Sequence, residues 1–150
     1  MQFAAFLTPK SEVVWVSASG SVEQALERMK PNGFAAVPIL DDEGCYVGTL
    51  STSDLMWFLL PAGSAWQELA RATAPLMVPR RLSGLVVHVD ASVSVLIKAA
   101  IEHSFVSVVD DRGVFVGIVR RRPVIEYCAR LADPDGVNVK AFGRGIPEQI

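Results

Sequence analysis

The chain has 150 residues, 51% hydrophobic and 20% charged, with a formal net charge of −2 at pH 7. That length suffices for one packed core or for two half-domains sharing an interface. The charge balance excludes a general nucleic-acid binder, which carries a basic surplus, and no apolar run approaches the roughly 20 residues of a bilayer-spanning helix.

The apolar share exceeds what a soluble surface requires, so a partner is expected to cover some of it. The start, Met1-Gln2-Phe3-Ala4-Ala5-Phe6-Leu7, lacks a basic leader and cleavage pattern, which makes the cytoplasm the expected location. Cys45 and Cys128 form no CxxC or disulfide pattern and read as reduced core thiols.

In chain order, Val13-Val14-Trp15-Val16 is a short β run, and Ser17-Ala18-Ser19-Gly20 turns it. Ser21 and Gln24 have capping-box spacing ahead of a helix whose apolar face is Val22, Ala25, Leu26 and Met29. Pro31-Asn32-Gly33 stops that helix. A strand over 34–40, a turn at Asp42-Glu43-Gly44 and a strand over 46–50 form a hairpin, followed by a helix carrying Leu55, Met56, Phe58 and Leu59. The segment 61–81 contains a helix over 65–72. The order then returns: Val86 to Val89, a cap at Asp90-Ala91-Ser92, a helix over 93–102, strands over 105–109 and 114–119, and a helix over 124–131. The tail from Asp133 is turn-rich and is expected to be loosely attached.

The return is literal. Ile39 to Leu50 reappears as Val108 to Val119 without a gap, Asp41 answering to Asp110 at a shift of 69. Two copies of one β-α-β-β-α unit make an α+β fold with pseudo-twofold symmetry, whose clefts are natural ligand sites. The copies differ where strand hands over to helix: Ser51-Thr52-Ser53-Asp54 in the first, Arg120-Arg121-Arg122-Pro123 in the second. Ser51, Thr52 and Asp54 suit either a helix cap or a phosphate or hydroxyl-rich ligand at free backbone amides. Three arginines at a helix start oppose its dipole by about 0.3–1 kcal/mol each. They suit an anionic ligand or, in the plainer reading, a solvated cluster with Arg122 paired to Glu126.

Phe6-Leu7-Thr8-Pro9, Ala36-Val37-Pro38-Ile39-Leu40-Asp41-Asp42 and Gly48-Thr49-Leu50-Ser51-Thr52-Ser53-Asp54-Leu55, within the doubled unit, resemble a tandem CBS domain pair, or Bateman module. The second half, with Phe105-Val106-Ser107-Val108, Val114-Phe115-Val116-Gly117-Ile118 and Arg121-Arg122, resembles small stand-alone CBS-pair proteins of Gram-positive bacteria that bind cyclic di-AMP. The resemblance implies CBS domains at 5–60 and 76–131, a linker helix within 61–75 and a tail over 132–150. It also implies a non-catalytic sensor that binds an adenine nucleotide between the repeats and relays it to an unidentified regulated protein. Cyclic di-AMP is the first choice; AMP, ADP or ATP, or a ligand-free dimerisation module, are the alternatives. The implied ligand-binding residues are Val14, Ala35, Ala36, Pro38, Ser51, Thr52, Asp54, Arg120, Arg121 and Arg122, with phosphate at Ser51 or Thr52 and ribose at Asp54. Arg120 and Pro123 depart from the Ser/Thr and Asp of that pattern, and Glu12 stands where this group often has Lys, with Lys10 two residues earlier.

CBS pairs usually stack through their helices, and together with the apolar run Leu55 to Phe58 this predicts a homodimer. No cofactor, DNA or membrane partner is expected. His88 and His103 have no nucleophile or metal-spacing partner nearby and read as structural; no glycine-rich phosphate loop is present, so the expectation is not an enzyme.

Overall fold

The computed structural model describes residues 3–33, 35–80 and 85–135. Expectations placed on residues 34 and 81 and on the tail from 136 lie outside them. The first half contains β2 (Val16–Ser17), α1 (Val22–Met29), β3 (Ala36–Leu40), β4 (Tyr46–Ser51) and α2 (Thr52–Leu59), with β1 (Leu7–Pro9) preceding it. After α3 (Trp66–Ala72), the second half contains β5 (Val86–His88), α4 (Val93–Glu102), β6 (Phe105–Val109), β7 (Phe115–Arg120) and α5 (Arg121–Ala132). The unit is α+β and occurs twice. In each half a parallel strand pairs with the middle strand, which pairs antiparallel with its return: β2-β3-β4 and β5-β6-β7.

Alternation of side chains decides the layers. Val37 and Ile39 of β3 and Leu50 of β4 bury against Val22, Ala25 and Met29 of α1 and Leu55 of α2. Val106, Val108 and Val119 do the same against Leu96 and Ala99 of α4 and Val124 of α5. The opposite faces of the sheets meet in a third cluster, Val13, Leu40, Phe115 and Ile118, with Trp15, Tyr46 and Phe105 packed on it. Both helix starts follow their capping signals: Ser21 and Gln24 form a complete capping box, and Ser92 Oγ accepts from the Val95 amide.

Several expectations shift. Of the first β run only Val16 forms a strand, joined by Ser17 from the expected turn, while Lys10–Glu12 is a 3-10 turn and Val13 to Trp15 are irregular. α5 begins at Arg121 instead of Val124, since a proline in a helix's first turn removes an amide that has no partner there. Leu60–Ala65 is 3-10, with Gly63 at φ 56, so α3 starts at Trp66. Leu55 is core and Phe58 packs beside it, leaving Met56 and Trp57 as the exposed apolar residues of the run. Cys45 and Cys128 are free but only half-buried, Cys45 at a hairpin tip and Cys128 one turn of α5 beyond the buried Val124.

β1 crosses over to the other half. It pairs antiparallel with β7, Thr8 opposite Ile118 and Pro9 opposite Gly117, and so ties the chain's start to the second sheet. A Cβ at Gly117 would lie 2.2 Å from the Thr8 carbonyl oxygen, a backbone atom that cannot move aside alone. Its repeat counterpart Gly48 faces only the Arg80 guanidinium, at 3.1 Å. Gly117→Ala is therefore expected to cost about 1–3 kcal/mol and Gly48→Ala markedly less, as read from urea-unfolding midpoints.

Candidate functional site

The first handover is built around the start of α2. Ser51 Oγ accepts from the Asp54 amide at 3.0 Å, and Asp54 Oδ2 accepts from the Ser51 amide at 3.2 Å. This closed capping box leaves Asp54 only 7% exposed. The Thr52 amide donates to the Ala35 carbonyl at 2.8 Å, and Ala36 and Pro38 stand opposite Ser51 and Thr49. Ala35, Ala36, Pro38, Ser51, Thr52 and Asp54 are thus one patch. Because Val37 and Ile39 point into the core, Ala36, Pro38 and Leu40 share the other face, and Leu40 places that face at the joint between the halves. Val14 packs its side chain on the first core, which leaves its backbone as what it can offer a ligand.

Sequence reading missed three neighbours of this patch. Thr49 lies two residues before Ser51 on the same strand face, and strand alternation alone would have found it. Its hydroxyl is 2.7 Å from the Tyr46 hydroxyl. Burial pushes the Tyr46 phenol up, while the Thr49 hydrogen bond and then the charge of Arg80, whose guanidinium lies against Gly48, pull it down. Arg80 Nη1 donates to the Leu76 carbonyl at 3.2 Å. It comes from the linker after α3, and nothing in its local sequence signals it. Lys10 and Arg28 also gather over Trp15, at 5.3 and 5.0 Å from its ring centroid.

The second handover has the same backbone and other side chains. The Arg121 amide donates to the Ser104 carbonyl at 2.8 Å, and Arg120, opposite Phe105, occupies the N-cap position without a side-chain cap. Arg121 Nε donates to the His103 carbonyl at 3.1 Å, and Arg122 Nε to Glu126 Oε1 at 3.0 Å. A cavity of about 10 Å³ between α4, α5 and the sheet is lined in part by His103, Phe105, Arg120 and Arg121. That is room for one water and not for a nucleotide. Ser107, the counterpart of Pro38, buries a hydroxyl with no hydrogen-bond partner among the described residues.

The family model of the CBS domain matches residues 5–61. That match spans the first half. The second half repeats its fold outside that match. No curated protein sequence matches the chain. Among solved structures, it is similar to a hypothetical conserved protein from Geobacillus kaustophilus (26% identity, 87% of this chain and 98% of that one, TM-score 0.75). It is also similar to the CbpB protein of Listeria monocytogenes in complex with c-di-AMP (22%, 86% and 96%, TM-score 0.71). A third is CBSX2 in complex with AMP (24%, 87% and 98%, TM-score 0.66).

The two handovers differ in kind. The first presents hydroxyls and a carboxylate at a helix start, groups that both donate and accept. The second presents guanidinium groups, which only donate. Asp54 holds its helix end as well as its place in the site, and the two roles separate by substitution. Asp54→Ala is expected to cost about 1 kcal/mol of stability through loss of the cap. Asp54→Asn keeps an acceptor and should retain most of it, as measured by thermal unfolding without ligand.

Proposed function

We propose that this CBS pair is a non-catalytic sensor of an adenine nucleotide, with cyclic di-AMP as the ligand, bound between the halves at 5–60 and 76–131 and read out by a regulated partner protein in the cytoplasm. The observation that carries the reading is the Ser51–Asp54 patch: hydroxyls and a carboxylate gathered where β4 hands over to α2, beside the face that borders the joint. The second handover adds Arg120, Arg121 and Arg122, the cationic side that a ligand with two phosphates requires. Solved structures of the same fold that contain c-di-AMP or AMP support the ligand class. A mononucleotide such as AMP is the second reading, favoured by the Arg122–Glu126 ion pair, which already balances one of the three cations.

Calorimetric titration with cyclic di-AMP, AMP and ATP tests the reading, and cyclic di-AMP is expected to bind most tightly. A hundredfold excess over the dissociation constant adds about 2.7 kcal/mol to the native state, so melting temperature should rise with it. Asp54→Asn should weaken every adenine nucleotide. Arg121→Ala combined with Arg122→Ala should cost cyclic di-AMP at least about tenfold, since charge-assisted hydrogen bonds contribute about 1.5–3 kcal/mol each. Intact binding of cyclic di-AMP in that double variant would transfer the site to a mononucleotide at Ser51–Asp54. No binding of any of the three would leave a structural module.

The outer helices supply the expected self-association. Met56, Trp57 and Leu60 are 48, 55 and 61% exposed, and Ile125, the repeat counterpart of Met56, is 53% exposed. Two copies packed through α2 and α5 would cover this surface. Light scattering at micromolar concentration is expected to give the mass of a dimer, and Trp57→Glu to shift it to the monomer.

A further inference from the structure

Away from both handovers, the corner between β5 and the β6–β7 turn gathers His88, Asp90 and Asp111, a donor atom of each lying within 4.8 Å of the others. His88 Nε2 is 2.6 Å from Asp111 Oδ1, and its Nδ1 is 3.5 Å from Asp90 Oδ2. The Asp90 amide donates to Nδ1 at 3.1 Å, which leaves the ring proton on Nε2, directed at Asp111. All three side chains are open to solvent, at 38, 85 and 90% exposure.

The first half shows what the fold itself needs at this corner. Ser17 pairs with Leu40 as His88 pairs with Val109, so by register Ser17, Ser19 and Asp42 are the counterparts of His88, Asp90 and Asp111. There the Ser19 amide donates to Ser17 Oγ at 3.2 Å, the two hydroxyls lie 2.9 Å apart, and Ser19 Oγ donates to Asp42 Oδ1 at 2.7 Å. Hydroxyls tie down the same turn. The second copy retains the tie and places an imidazole between two carboxylates, a donor set the corner does not require for folding.

We propose that His88, Asp90 and Asp111 form a site for a divalent transition-metal ion of the zinc class. One imidazole nitrogen with two carboxylates suits zinc, nickel or cobalt, whereas calcium and magnesium take oxygen ligands alone. The ion binds Nε2 beside Asp111 as the ring proton moves to Nδ1, which releases the Asp90 amide; Asp90 swings its exposed carboxylate to the ion, and water completes the coordination. Spacing in the sequence hides the site because Asp111 arrives from the next hairpin. Bound metal would fasten β5 to the turn that contains Gly113, one of the residues bonded across the joint.

The test is calorimetric titration of zinc chloride into the metal-stripped full chain, without nucleotide. Saturable uptake of one ion per chain, with a raised melting temperature, is expected. His88→Ser combined with Asp90→Ser installs the first-half corner; it should keep the metal-free melting temperature and weaken uptake at least about tenfold. Should that variant fail to fold, Asp111→Asn keeps a hydrogen-bond acceptor and is expected to show the same loss. Absence of saturable uptake by the wild type overturns the proposal. So does uptake that neither variant changes, which would assign the ion to other groups such as Cys45, Cys128 or His103.

Discussion

At the hairpin tips, the Tyr46 amide donates to the Gly113 carbonyl at 3.2 Å and the Phe115 amide to the Gly44 carbonyl at 3.0 Å, with Cys45 and Val114 opposite each other between them. The two bonds are each other's repeat counterparts, as are Cys45 and Val114, so this is a self-complementary contact of the kind a twofold axis produces, made within one chain. The turns are preset for it. Asp41 Oδ1 accepts from the Glu43 and Cys45 amides and Asp110 Oδ1 from the Arg112 and Val114 amides, and Gly44 and Gly113 supply the positive φ, 81 and 77°, that closes each turn. Leu40 and Phe115 then bury together in the shared cluster, and that contact defines which sides of the two sheets face the joint.

The joint also shapes its own chemistry. Partial burial, followed by the charges of Asp41, Glu43 and Asp110, pushes the Cys45 thiol up from its ordinary value. The thiol therefore stays neutral, and its Sγ contacts the Arg112 carbonyl at 3.8 Å. A thiolate there would add a further negative group to a contact made of two acidic turns. β1 reinforces the joint from the other side, because its pairing with β7 joins the chain's start to the second sheet.

Much of this was legible because the repeat encodes local structure twice. The hairpins, the caps at Ser21 and Ser92 and the helix over 93–102 rest on turn residues and periodicity that act within a few positions. The Ser51–Asp54 patch was legible for the same reason, its motif being one strand end and one helix start. What the residues did not reveal depends on long-range packing. Nothing around Leu7 to Pro9 states that its partner is β7, more than a hundred residues on, and nothing around Arg80 or Asp111 states what each one meets. Val13 to Trp15 read as strand because they are apolar and β-branched or aromatic; they are extended without pairing, and Val13 spends its side chain on the shared cluster.

Comparing the copies separates what the architecture requires from what varies around it. The Asp turns, the turn glycines, the bulge between Ile39 and Leu40 and its twin between Val108 and Val109, and the backbone bond from helix start to strand are all present in both. These groups fix the position of backbone, and altering one copy would break its fit to the other. The side chains that differ, Ser51 against Arg120, Asp54 against Pro123, Pro38 against Ser107 and Ser17 against His88, sit on a frame that holds without them. Hydroxyl and carboxylate at one handover and guanidinium at the other give the symmetric frame two unlike faces, one that both donates and accepts and one that only donates.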